Sequence, residues 1–400
     1  MSKGIGNVER RGENKYRLTV NNGFDSKGRR IRLRKNVVAT SDREAEKMLA
    51  MFVSEVERGV VKATTNITFK ELSNIFLKEY AEKNLSPKTY HSYKCELESK
   101  IIPAIGHIKV QDIKPLHLQK LYNSLRNDGA RADGRAGGLS SKSINNYHKM
   151  ISSIFNKGVK WKLTNSNPAE DVDAPRVIKK EAHCLNDEQV QQLLNALDKV
   201  PIKYKTAVIL AVSTGLRRGE ILGLEWDDIN FDKCTVRVNK SNSYVPGKGT
   251  FTKQPKTASS NRDITIPKEV VGVLKEYKNW QNEEIAQAKD IWVNSGKLFT
   301  QWNGAPMHAD TLSAWFHKFL KENNLPALPF HGLRHTCASI LGSHGLEIAA
   351  ISKRLGHSRT STTLDIYTHV ITNVDNRAAD IMENVLSKNK IDKEDTSKKD

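Results

Sequence analysis

Four short segments hold the residues with the strongest claim to chemistry: TGLRRGE (214–220), QPKTASSNR (254–262), HGLRH (331–335) and LGHSRTSTTLDIYTH (355–369). Taken singly, most have ordinary readings. An arginine after an apolar helix is a common C-terminal cation. Lys256 in a turn-rich hairpin reads as a solvated charge, Tyr367 as a buried or interfacial aromatic, and His357 and His369 as surface or capping residues. HGLRH is sharper. It follows Pro329 and opens an amphipathic helix, so His331 and Arg334 share one face beside the helix N–H groups and the positive end of the dipole, a ready anion site. Glu220, three residues beyond Arg217, is placed to hold that guanidinium through a local ion pair.

Together these residues make a set that can cut a phosphodiester without a metal ion. A nucleophile attacks phosphorus while fixed cations stabilise the charge gathered on the non-bridging oxygens. Arg217 and Arg334 each offer a bidentate fork to a phosphate, His331 and His357 can hydrogen-bond it or move protons, and Lys256 can protonate the leaving oxygen. Tyr367 supplies the nucleophile, its phenol ionising under the influence of the nearby cations. His331 and His335, four apart, also invite a zinc reading. Against it, Gly332 stands where the HExxH arrangement needs a glutamate, and Arg334 opposes a dication. No metal site is therefore expected, and His335 reads as a core residue or a support for its neighbours. A metal-dependent nuclease would need an Asp, Glu and His cluster that is not in evidence here.

The elements that must position these residues follow from composition and periodicity. The chain has 400 residues, 64 Lys plus Arg against 45 Asp plus Glu and a net charge of +19, which favours a polyanionic partner and two to four domains. No apolar run approaches the roughly 18 residues that span a bilayer, and the first residues lack a signal-peptide core, so a cytoplasmic location without a membrane partner is expected. Cys95, Cys184, Cys234 and Cys337 stand far apart and read as reduced structural residues. Residues 1–35 carry eleven Lys or Arg against three acids. KYRLTV and RRIRLR alternate with period 2 around NNGFDSKG and predict a β-hairpin, with Arg30, Arg32 and Arg34 on the face opposite Ile31 and Leu33. That cationic face can lie on phosphates or enter a groove, or simply be solvated. A helix with Ala45, Leu49, Phe52, Val53 and Val56 on one side follows. From Thr68, four apolar stripes built around Phe69, Tyr90, Leu118 and Ile144 predict a helical bundle. NDGARADGRAGGLSS is a surface loop without a phosphate-cradling motif. PAEDVDAPRVIKKEAH (168–183) reads as an extended linker. Beyond it Asn186 caps a helix, YKTAVILAVSTGL forms a buried one, CTVRVN and RDITIP form strands, and the end of the chain is a polar tail.

In this order the four segments resemble the tyrosine recombinase family, the lambda-integrase type of site-specific recombinase. Arg217 matches the first arginine, Lys256 the β-hairpin lysine with Lys253 as the alternative in the same hairpin, His331 and Arg334 the HxxR pair, His357 the histidine of LGH, and Tyr367 the nucleophile. The resemblance implies strand cleavage and rejoining through a covalent 3′-phosphotyrosine without cofactor. It also implies a multidomain α+β chain most like integrases of prophages and integrative conjugative elements. Residues 1–62 would form an arm-type DNA-binding domain, a small three-stranded sheet plus helix with Arg17, Arg30, Arg32 and Arg34 as DNA contacts. Residues 67–167 would be a helical core-binding domain, 168–183 the linker, 184–388 a mainly α catalytic domain with a small antiparallel sheet, and 389–400 a polar tail. Its partners would be double-stranded DNA at core and arm sites, three further protomers in a homotetramer, and an excisionase-type directionality factor. A non-catalytic DNA-binding protein would not need all six residues together, whereas a type IB topoisomerase shares the chemistry and differs in the basic N-terminal domain.

Overall fold

The structure, a computed structural model, describes residues 6–24, 28, 30–58, 66–131, 133–178, 183–253 and 261–357, with 382, 383 and 386. It divides into two compact units, Met1–Ile178 and Lys179–Asp400. Among the described residues no helix is long and apolar enough to cross a membrane.

The first unit opens with three antiparallel strands, β1 (Gly6–Gly12), β2 (Lys15–Phe24) and β3 (Arg30–Val38), in the order β1-β2-β3. β2 and β3 are the strands of the predicted hairpin, and β1 adds a third that the alternation alone did not mark. Tyr16, Leu18, Val20 and Leu33 are buried, the last three against Phe52 and Val56 of helix α1 (Asp42–Glu57), whose first turn is capped by Ser41. Opposite residues of an antiparallel pair share a face. Thr19 faces Arg34, Asn21 faces Arg32, and Arg17 faces Asn36, to whose side chain it donates at 3.3 Å. Arg17, Arg32 and Arg34 therefore share the solvent face, while Arg30 lies beyond a register shift, opposite Phe24.

The helical part comprises α2 (Phe69–Phe76), α3 (Pro87–Glu96), α4 (Pro115–Arg126) and α5 (Ser141–Lys160); α2 and α3 run on through π-helical turns at Leu77–Ala81 and Leu97–Ile101. The predicted stripes meet in one core, with Phe69, Leu72, Phe76, Leu97, Leu118, Tyr122, Ile144 and Ile151 fully buried. Thr68 and Glu71 close a capping box at the start of α2, which satisfies N–H groups that the helix itself cannot. The segment expected to be an extended linker from residue 168 begins packed. Asn167 accepts from the Ala169 N–H at 3.0 Å, and Ala169 and Val172 are buried in the same core. The Pro/charge composition suggested a linker because the two apolar anchors are isolated in sequence. The expected boundaries at 62 and 388 and the tail 389–400 lie outside the described residues.

The second unit carries helices α6 (Asp187–Ala196), α7 (Ile202–Thr214), α8 (Arg218–Ile221), α9 (Lys268–Ala288), α10 (Ala309–Glu322), α11 (Gly332–Ser343) and α12 (Ile348–Leu355). Asn186 caps α6 as predicted, accepting from the Gln189 N–H at 2.8 Å. α7 is apolar on most sides because it packs between α9 and α11. Short strands β4 (Ile229–Asn230), β5 (Thr235–Val238) and β8 (Arg262–Thr265) form one antiparallel sheet, with Val236 opposite Ile264 and Val238 opposite Arg262. Between β5 and β8 lies a separate hairpin, β6 (Ser241–Val245) and β7 (Gly249–Lys253), in the stretch that the sequence reads as a turn-rich hairpin.

Candidate active site

α7 ends because Gly215 adopts the left-handed conformation, φ 65°, which glycine takes without a Cβ penalty. A Cβ there would also strike Cδ2 of Leu355 on α12. The freed Gly215 carbonyl accepts from Nη1 of Arg334 at 2.8 Å, so the end of α7 fixes the arginine of HGLRH. Two residues on, Arg217 caps α8. Its backbone N–H donates to Glu220 Oε2 at 3.1 Å and its Nη1 to Glu220 Oε1 at 2.7 Å, the ion pair that the spacing predicted. Its Nη2 reaches across to the carbonyl of Gly356 at 3.2 Å, immediately before His357.

Glu220 is 6% exposed and serves a second cation, with Nη2 of Arg262 at 2.9 Å from Oε2. Burial raises the pKa of its carboxyl, and the guanidinium groups of Arg262 and Arg217 outweigh it, leaving the group below the usual range. Arg334 is 1% exposed. Burial, reinforced by Arg217, lowers its pKa to about 9, so it is still charged at neutral pH. Its Nη2 is buried without an acceptor among the described residues.

His331 stands at the N-terminus of α11, open to solvent on one side, with its ring edge-to-face on His335 at 5.0 Å between centroids. The protein packed around the ring, then His335, Arg334 and Arg217, push its pKa down to about 4. His357 is half-buried, and burial followed by Arg334 and Arg217 likewise lowers it to about 4. Both imidazoles are neutral at pH 7 and can accept as well as donate a hydrogen bond. His335 is half-buried below them, with an Nδ1 that has no hydrogen-bond partner among the described residues.

Four of the six expected residues, Arg217, His331, Arg334 and His357, are thus brought to one place. Lys256 and Tyr367 lie outside the described residues. Lys253, the alternative lysine, ends β7 with its ammonium 5.3 Å from the Phe251 ring centroid. Arg17, Arg30, Arg32 and Arg34 belong to the first unit. Among the described residues no group of three or more His, Cys, Asp or Glu side chains is placed to hold a metal ion. The sequence reading passed over Arg262, although a signal existed. Arg262 shares the parity of Ile264 and Ile266, both buried, and a cation on the inward face of a strand requires an acid to meet it.

The Phage integrase family matches residues 183–373, and the phage integrase N-terminal SAM-like domain matches residues 68–126. The chain is 30% identical to a XerC-like tyrosine recombinase of Caldanaerobacter subterraneus, covering 91% of this chain and 95% of that one. It is 27% identical to the ICEBs1 integrase of Bacillus subtilis over 93% and 97% of the two chains. In fold it is similar to the Tn1549 transposon integrase in complex with transposon right end DNA, with TM-score 0.64 and 21% identity, covering 75% of this chain and 95% of that one. It is also similar to a lambda integrase dimer bound to a COC′ core site, with TM-score 0.53 and 15% identity over 90% and 94% of the chains.

Proposed function

Since this chain belongs to the tyrosine recombinase family of phage-type integrases, we propose that Arg217, Lys256, His331, Arg334 and His357 activate a DNA phosphodiester for attack by Tyr367. The protein is a site-specific DNA recombinase that binds double-stranded DNA and cuts and rejoins its strands to move a mobile element. In the forward step the Tyr367 phenolate oxygen bonds to phosphorus and the P–O5′ bond breaks. The phosphate is left as a 3′-phosphotyrosyl ester, and Lys256 gives a proton to the departing 5′-oxygen. Rejoining is the reverse, with a 5′-hydroxyl of the partner strand attacking the ester. The bond energy is stored in the ester, so no nucleotide is consumed.

The observation that carries the assignment of roles is the Arg334 guanidinium, buried with Nη2 lacking an acceptor among the described residues and set beside Arg217 and two neutral histidines. A buried charged donor without a partner is costly, and a non-bridging phosphate oxygen supplies the missing acceptor together with the opposing charge. Arg217 turns one edge to Glu220 and Gly356 and is 38% exposed along its side chain, which leaves it accessible to the same phosphate. The test is a nicked duplex carrying the element's own attachment site. Wild-type protein should form an SDS-stable adduct and Tyr367→Phe none, with DNA affinity retained; an undiminished adduct in the variant removes Tyr367 from the role.

The finer organisation is our reading from the same family. Residues 1–62 bind arm-type DNA through Arg17, Arg30, Arg32 and Arg34, residues 67–167 bind the core site, 184–388 catalyse, and 168–183 join them. Strand exchange between two duplexes takes four cleavages and hence a homotetramer on DNA. Ile371, Val374, Ala378, Ile381 and Val385, which lie outside the described residues, are spaced as a stripe for joining one protomer to the next. A small directionality protein of the excisionase type and a cytoplasmic location complete this reading.

A further inference from the structure

We propose that Arg262 is a positioning residue for strand cleavage, tying the strand that follows the Lys256 segment both to the carboxylate that orients Arg217 and to the backbone that leads into His357. The proposal rests on the functional reading above and adds to it a residue outside the six assigned there. Arg262 donates through Nη2 to Glu220 Oε2 at 2.9 Å and through Nε to the Arg354 carbonyl at 2.7 Å. The other Glu220 oxygen takes Arg217, and Arg217 takes the Gly356 carbonyl. These contacts close a ring through three stretches of chain far apart in sequence: 217–220, 262 and 354–356.

Two features argue for a positioning role over simple packing. First, the Arg262 and Glu220 side chains are 8% and 7% exposed, on the face of β8 where Ile264 meets the core. An apolar residue would fill that space, and a buried charge is retained there only with its partner. Second, the turn into His357 is shaped to the guanidinium. Gly356 has φ 68°, and a Cβ on it would stand 2.7 Å from Nη1 of Arg262 and 3.0 Å from its Cζ. The arginine fork, the turn bearing His357 and the strand after Lys256 are therefore spaced from one guanidinium. A shift of about 1 Å in such groups can slow a reaction about 100-fold.

The test uses full-length protein and a suicide substrate whose single-turnover cleavage, DNA affinity and thermal melt are measured together. Wild-type protein forming no Tyr367 adduct would overturn the functional reading, separately from this proposal. Given that adduct, Arg262→Gln should cleave roughly 100-fold more slowly with DNA affinity within about twofold of wild type. Arg262→Lys, which keeps the charge beside Glu220 but has one bonding point, should fall between. Because the effect passes through Glu220, the double variant Arg262→Gln with Glu220→Gln should be no slower than the slower single one. Wild-type cleavage by Arg262→Gln, or multiplicative losses in the cycle, overturns the proposal. If Arg262→Gln does not fold, the same cycle with Arg262→Lys decides between these outcomes.

Discussion

The protonation states of single residues define how this site meets a phosphate. His331 and His357 have pKa values pushed down to about 4 by burial and by the nearby arginines, and an arriving phosphodiester brings the opposite charge. Both pKa values should therefore rise on binding DNA, protons should be taken up between about pH 4 and 6.5, and affinity should increase as pH falls through that window. Histidine NMR titrations of free and DNA-bound Tyr367→Phe protein measure this directly. Values near 6.5 in the free protein would mean that the cations do not act on these rings. For folding the sign is opposite. The unfolded histidines bind protons near pH 6.5 and the folded ones only near 4, so their contribution is complete above about 6.5 and is lost as pH falls toward 4. Replacing Arg217 or Arg334 by alanine should slow cleavage about 100-fold or more, as removal of other preorganised charge stabilisers does. Single-turnover rates check this, and mild effects at both would move the phosphate elsewhere.

At the scale of elements, the end of α7 is the hinge of the arrangement, since it presents the Gly215 carbonyl to Arg334 and sends Arg217 into α8. Gly215→Ala combines a left-handed backbone with a collision at Leu355 and should destabilise the fold by about 1–3 kcal/mol, with a loss of cleavage as Arg334 is displaced. Gly247→Ala is the control. Gly247 has φ 80° but open space around its Cβ position, so it should cost only the backbone strain of about 1–2 kcal/mol and leave cleavage intact. Urea midpoints and cleavage rates for the two variants separate strain from contact. Equal effects in both assays would show that Leu355 yields without disturbing the site.

For the whole molecule, the +19 charge favours binding to the phosphates of DNA. Removing residues 1–62 should leave core-site cleavage measurable, abolish protection of a second, distal site and flatten the dependence of binding on salt. Footprinting at two salt concentrations checks this. An unchanged footprint would return Arg17, Arg32 and Arg34 to the role of a solvated face. Truncation after Thr372 should preserve binding but reduce tetramers on paired sites, read by sedimentation; a full yield of tetramer with normal recombination would place the stripe from Ile371 to Val385 against its own protomer.

Much of this protein is legible in its sequence because the informative signals are local. Spacing of three and four marks the stripes that became α2 to α5, period 2 marks β2, β3, β5 and β8, and Asn186 marks a helix start, each decided by neighbours along the chain. The four residues that meet in the candidate site, Arg217, His331, Arg334 and His357, are legible for another reason, since only a few side chains can hold a phosphate. What tertiary structure alone decided is the company these residues keep. Arg334 meets the carbonyl of Gly215, 119 residues away, and Arg217 meets that of Gly356, 139 away. Arg262 finds its acid at Glu220, and the packing and positive charge that lower the pKa of two histidines come from several elements at once. Long-range contacts of this kind depend on how helices and strands pack, and packing leaves no periodic trace in the residues that it joins.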